Sequence, residues 1–595
     1  MPKIYRLFFK SLAIAVFAHS TLLAAATLDN TLNKNSFESL IADFEKSEID
    51  MNPIKSGQLG NRNALRMLPD VSLETQKNNE ALIEKFIQRH SALAYKKMDE
   101  RTKLNYELLG FVLNQKKIMF PYDRNRIPFT NDSGFFNEMS YISRQTKFEV
   151  VDDYDAYISR LTKLPEYFEE HKKNMRRGIN SGFTASAAIM PGIVNIIDRY
   201  SKGNPKEHPF YIPFKNYPNN INDEEKNRLE TLGKKTIINS VLPAYKDLKD
   251  FFEDEYTPKT RLNIGIGTNQ SNRKYYKALI KYFTTLELTP DEVHNLGIQE
   301  VQRIKSEMDS VILTTNFKGT FSEFLKFLRT DPQFYASTEK QLLKEASYLA
   351  KKIDGRMPEF FQTLPRLSYG VIPVPKEIQE NYTTGRYWGG NPELNKAGNY
   401  VINTYDLKQR PLYNLPALTA HEGVPGHHHQ IALSQEIKNV PSFRKDINVS
   451  AFVESWGLYA EKLAEEMGIY ETAYDKFGQL TYEMWRACRL LVDTGIHWKG
   501  WEREKAEECF FQNTALAPYN IKTEVDRYIS WPGQAVSYKI GELKILELKE
   551  FSKSQLGHQF NIREFHDQIL INGSVPLNIL DRKIREWVKK KLMVY

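Results

Sequence analysis

Apolar residues along this chain recur mostly with the 3.6-residue period of an amphipathic helix. The clearest case is "TPDEVHNLGIQEVQRIKSEMDSVI", where Thr289 can cap, Pro290 takes the first helical position and Glu292 closes a capping box. "STEKQLLKEASYLAKKIDGRMPEFF" repeats the type, with Ser337 and Glu339 at its start. "ERTKLNYELLGFVLNQ" and "YISRLTKLPEYFEEHKKNMRRGI" also read as amphipathic helices, and the C-terminal "IREFHDQILINGSVPLNILDRKIREWVKKKL" as two helices parted by Asn572-Gly573. Strand patterns are few. "RLSYGVIPVP" (366–375) is β-branched and bounded by proline, as suits an edge strand, and "GNYVINTYD" (398–406) alternates. The "TTGRYWGGNPELNKAGN" between them reads as loop. The pattern predicts a mainly α fold with a small β-sheet.

With 595 residues the chain can build more than one core. The Pro- and Asn-rich "HPFYIPFKNYPNNINDEE" (208–225) reads as a long connection. It divides an N-terminal helical part (27–225) from a larger part (226–595), unless 27–595 is one continuous unit. Ahead of both, residues 1–26 carry a basic start, an apolar run and a closing Ala24-Ala25-Ala26, the pattern of a secretory signal peptide. The run is short of the ~20 apolar residues a membrane span needs, and His19 interrupts it. No cysteine follows it to accept a lipid. Export to the periplasm or the medium is therefore expected, with no stable membrane span once the signal is removed.

Composition narrows the class further. At 41% hydrophobic, 26% charged and 12% aromatic residues, the chain is an ordinary globular protein. Its formal charge of +8 comes with no basic run interleaved with aromatics, so nucleic acid is not an expected partner. Two cysteines, Cys488 and Cys509, exclude a disulfide-built scaffold; one bridge or two thiols are both open.

Chemistry concentrates in "ALTAHEGVPGHHHQIALSQE" (417–436). A zinc hydrolase needs three protein ligands, an open position for water, and a carboxylate to take the proton of that water. His421-Glu422 begins the H-E-x-x-H pattern, but Pro425 stands where the second histidine belongs. The following histidines are six, seven and eight residues on. On an unbroken helix, seven residues span ~10.5 Å, too far for two ligands of one ion. Pro425-Gly426 can break the helix and let the chain bulge, returning His427, or alternatively His428, to the side of His421. Glu454 in "AFVESWGLYAEKLAEEMG" is an acid amid apolar residues that needs a partner, and a metal would supply one. Glu461 lies seven residues on, near the same face. Arg489, Asp493 and His497 form a stripe of period four that could orient the ligands, and His497 could donate to an oxyanion. Tyr538, near the start of a helix after Pro532-Gly533, is a second candidate donor. Each has a plainer reading: surface histidines, a structural glutamate, an i, i+4 pairing, a packing tyrosine.

Taken together and in this order, "HEGVPGHH", "AFVESWGLYAE", "DTGIHWKGW" and "PGQAVSYKIG" resemble the bacterial "domain of unknown function 885" family, which is similar in motif and architecture to gluzincin-type zinc metallopeptidases. The resemblance takes in "LTPDEVHNLGIQEVQRIKSEM" and "AGNYVINTYD" as well. It implies a large helical fold with a deep cleft edged by a small sheet, one zinc ion on His421, His427 or His428, and Glu454, and Glu422 as the base. It places "NYVINTYD" along the cleft, with Tyr400 and Asn403 against the substrate backbone. The "IGIGTNQSNRKYY" segment (264–276) and His429 depart from the family pattern. The expected function is an exported zinc peptidase for short peptides. A non-catalytic exported binding protein and a zinc hydrolase of a non-peptide amide or ester are the alternatives.

Overall fold

The computed structural model describes residues 34–593 except 268, 377, 393 and 394; the leader 1–26 lies outside the described residues. The fold is 71% helical with one three-stranded sheet. Two packed cores run through it, one drawing on residues 129–535 and one on 37–584.

Local chemistry accounts for the helix starts. Thr289 Oγ1 accepts from Glu292 N–H at 3.2 Å while Glu292 Oε2 accepts from Thr289 N–H at 2.7 Å, closing the box that opens α1 (Pro290–Thr314). The helix Glu339–Phe360 is capped by Thr338 rather than Ser337, which bonds to Gln341 Oε1 instead. The "YISRLTKLPEYFEEHKKNMRRGI" stretch divides at Thr162-Lys163, because Pro165 belongs in the first turn of the helix Leu164–Ser181. The C-terminal pair spans Ile562–Leu570 and Leu577–Met593. Within 208–225, the residues Pro209–Lys215 form a 3-10 helix that buries Phe210, Tyr211 and Phe214 in the first core.

The strands β1 (Tyr369–Pro373), β2 (Gly385–Trp388) and β3 (Gly398–Ile402) lie in the order β1-β3-β2. β3 pairs in parallel with β1 (Tyr369 opposite Gly398) and antiparallel with β2 (Tyr387 opposite Tyr400). This corrects two expectations. The 385–388 stretch is a strand, not a loop. β3 is central, so both of its edges are occupied and it has none to offer a substrate. Tyr400 is fully buried, and Asn403 is spent on the protein. Asn403 Nδ2 donates to Gln379 O and Tyr382 O at 2.8 Å each, and its Oδ1 accepts from Tyr405 N–H.

Five further helices build the region below the sheet: α2 (Leu415–Glu422), α3 (His427–Glu436), α4 (Ser450–Glu466), α5 (Ala473–Thr494) and α6 (Ser537–Leu556). α1 packs along α5, and α4 along both α2 and α6. α5 is buried almost throughout, from Phe477 to Thr494. Cys488 on α5 and Cys509 are unbonded thiols with sulfurs 2.7 Å apart.

Candidate metal centre

α2 is buried on every side from Leu415 to Glu422, so its polar residues must be satisfied within the protein. It ends at Glu422. Four residues, Gly423 to Gly426, carry the chain round to α3, which begins at His427. The Val424-Pro425 peptide is cis. The turn is pinned by Gly426 N–H to Ala420 O (3.0 Å), His428 N–H to Gly423 O (3.1 Å) and Trp456 Nε1–H to Pro425 O (2.7 Å). Gly426 is required by close approach: a Cβ there would lie 2.0 Å from His421 O. The broken motif is thus a short helix, a clamped turn and a second helix.

The turn returns His427 to His421, with ring centroids 4.7 Å apart at 89°. Glu454 of α4 completes the group: its Oε2 lies 3.5 Å from His427 Nε2 and 4.0 Å from His421 Nε2. One donor atom from each of the three falls within 4.8 Å of the others. Ligands bonded at ~2.0–2.2 Å around a tetrahedral zinc stand ~3.3–3.5 Å apart; the Glu454–His427 spacing is at that value and the Glu454–His421 spacing is wider, and two imidazoles with a carboxylate are a donor set that suits that ion. His428 is turned away, its Nδ1 paired with Tyr387 OH at 3.0 Å. His429 packs on Phe361 with ring centroids 4.5 Å apart.

α4 contributes a second carboxylate besides Glu454. Glu461 Oε1 lies 2.7 Å from His421 Nδ1 and 3.1 Å from Arg486 Nη2, so the far nitrogen of His421 is held while Nε2 faces Glu454. Such a carboxylate fixes both the orientation and the tautomer of a ligand imidazole. Between the two glutamates, Gly457 leaves the groove that admits the ring: a Cβ there would lie 2.7 Å from His421 Cε1 and Nε2. Gly457 and Arg486 escaped the sequence reading because their contacts cross between helices. The spacing Glu454-x-x-Gly457-x-x-x-Glu461 was the available signal.

Glu422 is buried, and its Oε2 accepts from Tyr387 N–H of β2 at 2.7 Å. Burial raises its pKa, with His427 opposing. Burial disfavours the His427 cation, but Glu454 and Glu422 outweigh it and hold the imidazole above its usual value. Burial also works against the Glu454 carboxylate, yet His427 pulls its pKa down to about 2. Burial, with His427 and two arginines nearby, drives His421 well below its usual value. Burial pushes Glu461 up to about 8, against Arg486.

The α5 stripe has a different role from the one expected. His497, one turn past α5, accepts from Ile266 N–H at Nδ1 (3.0 Å) and contacts Tyr528 O through Nε2 (2.8 Å). Both nitrogens are used, so His497 has no donor left for an oxyanion. Asp493 accepts from Tyr276 OH (2.5 Å) and Gly533 N–H (3.0 Å). Arg489 donates to Tyr528 OH (2.8 Å) and Glu524 Oε2 (3.0 Å). None of these hydrogen bonds reaches His421, His427 or Glu454. The stripe instead fastens the 264–276 segment and the 528–533 turn to α5. Tyr538 sits in the first turn of α6; its hydroxyl accepts from Arg527 Nη2 at 3.2 Å, which leaves its own O–H free to donate.

The fold recurs in solved structures. The chain superposes on the crystal structure of a candidate lipoprotein from Colwellia psychrerythraea with a TM-score of 0.88 at 27% identity, covering 94% of this chain and 100% of that one. It superposes on a candidate lipoprotein of unknown function from Shewanella oneidensis with a TM-score of 0.69 at 15% identity, covering 92% and 99%. Among curated proteins none matches. Over residues 53–584 the chain matches the family described as bacterial protein of unknown function, DUF885, and it belongs to that family.

Proposed function

We propose that this protein is an exported zinc-dependent peptidase acting on short peptides. The observation that carries the reading is the convergence of His421, His427 and Glu454 on one point, with the buried carboxyl of Glu422 directly following the first ligand. His421 Nε2, His427 Nε2 and a Glu454 oxygen would hold one zinc ion, leaving a position for water. A zinc ion held there supplies Lewis acidity, lowering the pKa of water and polarising a carbonyl. Glu422 takes the proton of the attacking water at a carboxylate oxygen and passes it to the leaving amine. Its second oxygen stays on the Tyr387 N–H, which fixes the orientation of the carboxylate. The free O–H of Tyr538 is the donor assigned to the developing oxyanion.

Export rests on the leader pattern in residues 1–26 and on the two solved relatives, both named as lipoproteins. Among the described residues no helix is long and apolar enough to cross a membrane.

Glu422→Gln tests the reading. The variant is expected to bind zinc at the wild-type stoichiometry and to lose peptide cleavage by on the order of 10²–10⁴-fold. Full activity in this variant would overturn the mechanism. A wild-type protein that takes up no zinc when supplied with it would turn the assignment toward a binding protein. Cleavage of amides or esters but of no peptide in a substrate panel would keep the metal and change the substrate.

A further inference from the structure

β2, like β1, is an outer strand of the sheet, since among the described residues it pairs with β3 alone. An edge strand can take up an extended peptide through its unpaired backbone groups. This one touches the carboxylate assigned as base, through Tyr387 N–H. The residue before Tyr387 is Arg386, which is exposed. Its guanidinium lies 5.8 Å from the centroid of the Tyr382 ring. Trp388 Nε1–H donates to Tyr382 OH at 2.8 Å, so Arg386 and Trp388 of the strand cluster with Tyr382 of the turn before it. Asn403, through Tyr382 O, fixes the turn that carries this cluster.

The arginines around the centre differ in what they do. Arg486 is paired with Glu461 at 3.1 Å and Arg489 with Glu524 at 3.0 Å. Arg527 lies 3.8 Å from Glu524 and donates to Gln534 and Tyr538. Among the described residues Arg386 has no ion-pair partner, although its charge is close enough to act on both Glu422 and His427. An exposed arginine beside a hydrolytic centre, with its fork of donors unspent, suits a planar carboxylate.

We propose that Arg386 determines specificity by binding a carboxylate of a peptide laid along β2, whether its C-terminal group or an acidic side chain next to the cut. The proposal rests on the peptidase reading for the identity of the ligand, but it can be tested by binding alone. The probes are one short peptide as its free acid, the same peptide as its C-terminal amide, and that amide with one neutral residue replaced by glutamate. Titration calorimetry measures each against Glu422→Gln and against the double variant Glu422→Gln, Arg386→Gln, before and after zinc loading. With Arg386 present, at least one carboxylate-bearing peptide is expected to bind about tenfold or more tighter than the neutral amide. Arg386→Gln is expected to remove that difference. A preference for the free acid identifies the terminal carboxylate, and a preference for the glutamate amide identifies a side chain. Equal binding of all three peptides, no binding of any, or a preference that survives Arg386→Gln would overturn the proposal. Cleavage by the zinc-loaded wild-type protein is scored separately: carboxylate-dependent binding without cleavage leaves the Arg386 site standing and removes the hydrolase.

Discussion

Two adjacent helices carry polar residues at helical spacing through apolar surroundings, and they use them in opposite ways. On α4, Glu454 and Glu461 meet His421 and His427 across the gap, and Glu454 and the two Nε2 atoms converge on one point. On and just beyond α5, Arg489, Asp493 and His497 meet partners of their own: Tyr528 and Glu524, Tyr276 and Gly533, Ile266 and Tyr528, with Arg489 Nη1 alone left over among their nitrogens. Polarity is alike in the two sets, and burial nearly so, Glu454 alone keeping a quarter of its side chain exposed. What separates a candidate reactive centre from a structural latch is the valence left over once the protein has satisfied itself.

The sharpest break of this contrast is Glu454→Ala. Losing one of the three proposed ligands is expected to lower zinc affinity by more than the ~10–100-fold attached to an outer partner. Competition against a chromogenic chelator measures it, and stoichiometric zinc retained by the variant would mean that the three side chains do not form a metal site. Next in size is Glu461→Gln, for which the same titration is expected to give a loss of ~10–100-fold with circular dichroism unchanged. An unaltered affinity would reduce Glu461 to packing.

The smallest effect belongs to the latch. Burial pushes Asp493 from 3.8 up to about 7, with Tyr276 and Gly533 opposing. The native state therefore keeps the proton to higher pH than the unfolded chain does. The stabilisation from this group is full below about pH 4 and is lost as pH rises through 7. Asp493→Asn keeps an acceptor for the Gly533 N–H. Relative to wild type it is expected to gain on the order of 1–3 kcal/mol between pH 4.5 and 8, read from urea unfolding at the two values. Its zinc affinity should not move. Parallel pH curves for the two proteins would contradict the account.

Much of this was legible in the chain. Thr289, Pro290 and Glu292 announce α1, and the apolar spacing around Glu454 announces α4, because caps and amphipathic faces are local. The clustering of His421 and Glu454 with one of the following histidines was legible too, but the sequence left His427 and His428 open, and only the turn through Gly423–Gly426 separates them. Three things were not. Which strands flank a sheet depends on pairings between segments: 366–375 read as an edge and β1 is one, but β3 passed for an edge and β2 for a loop. The α5 stripe cannot announce its partners, which arrive from residues 264–276 and 524–533. Arg386 stands out only once β2 is seen to border Glu422.

Gly457 has a consequence of another kind. A single methyl group there would occupy the space of the His421 ring, so in the proposed centre position 457 works as a gate on ligation written into the primary sequence. Within DUF885 it offers a sorting rule that needs no coordinates: chains with H-E-x4-H followed by E-x2-G-x3-E should be able to hold a metal. Chains that keep the histidines but carry a bulkier residue at the glycine should not.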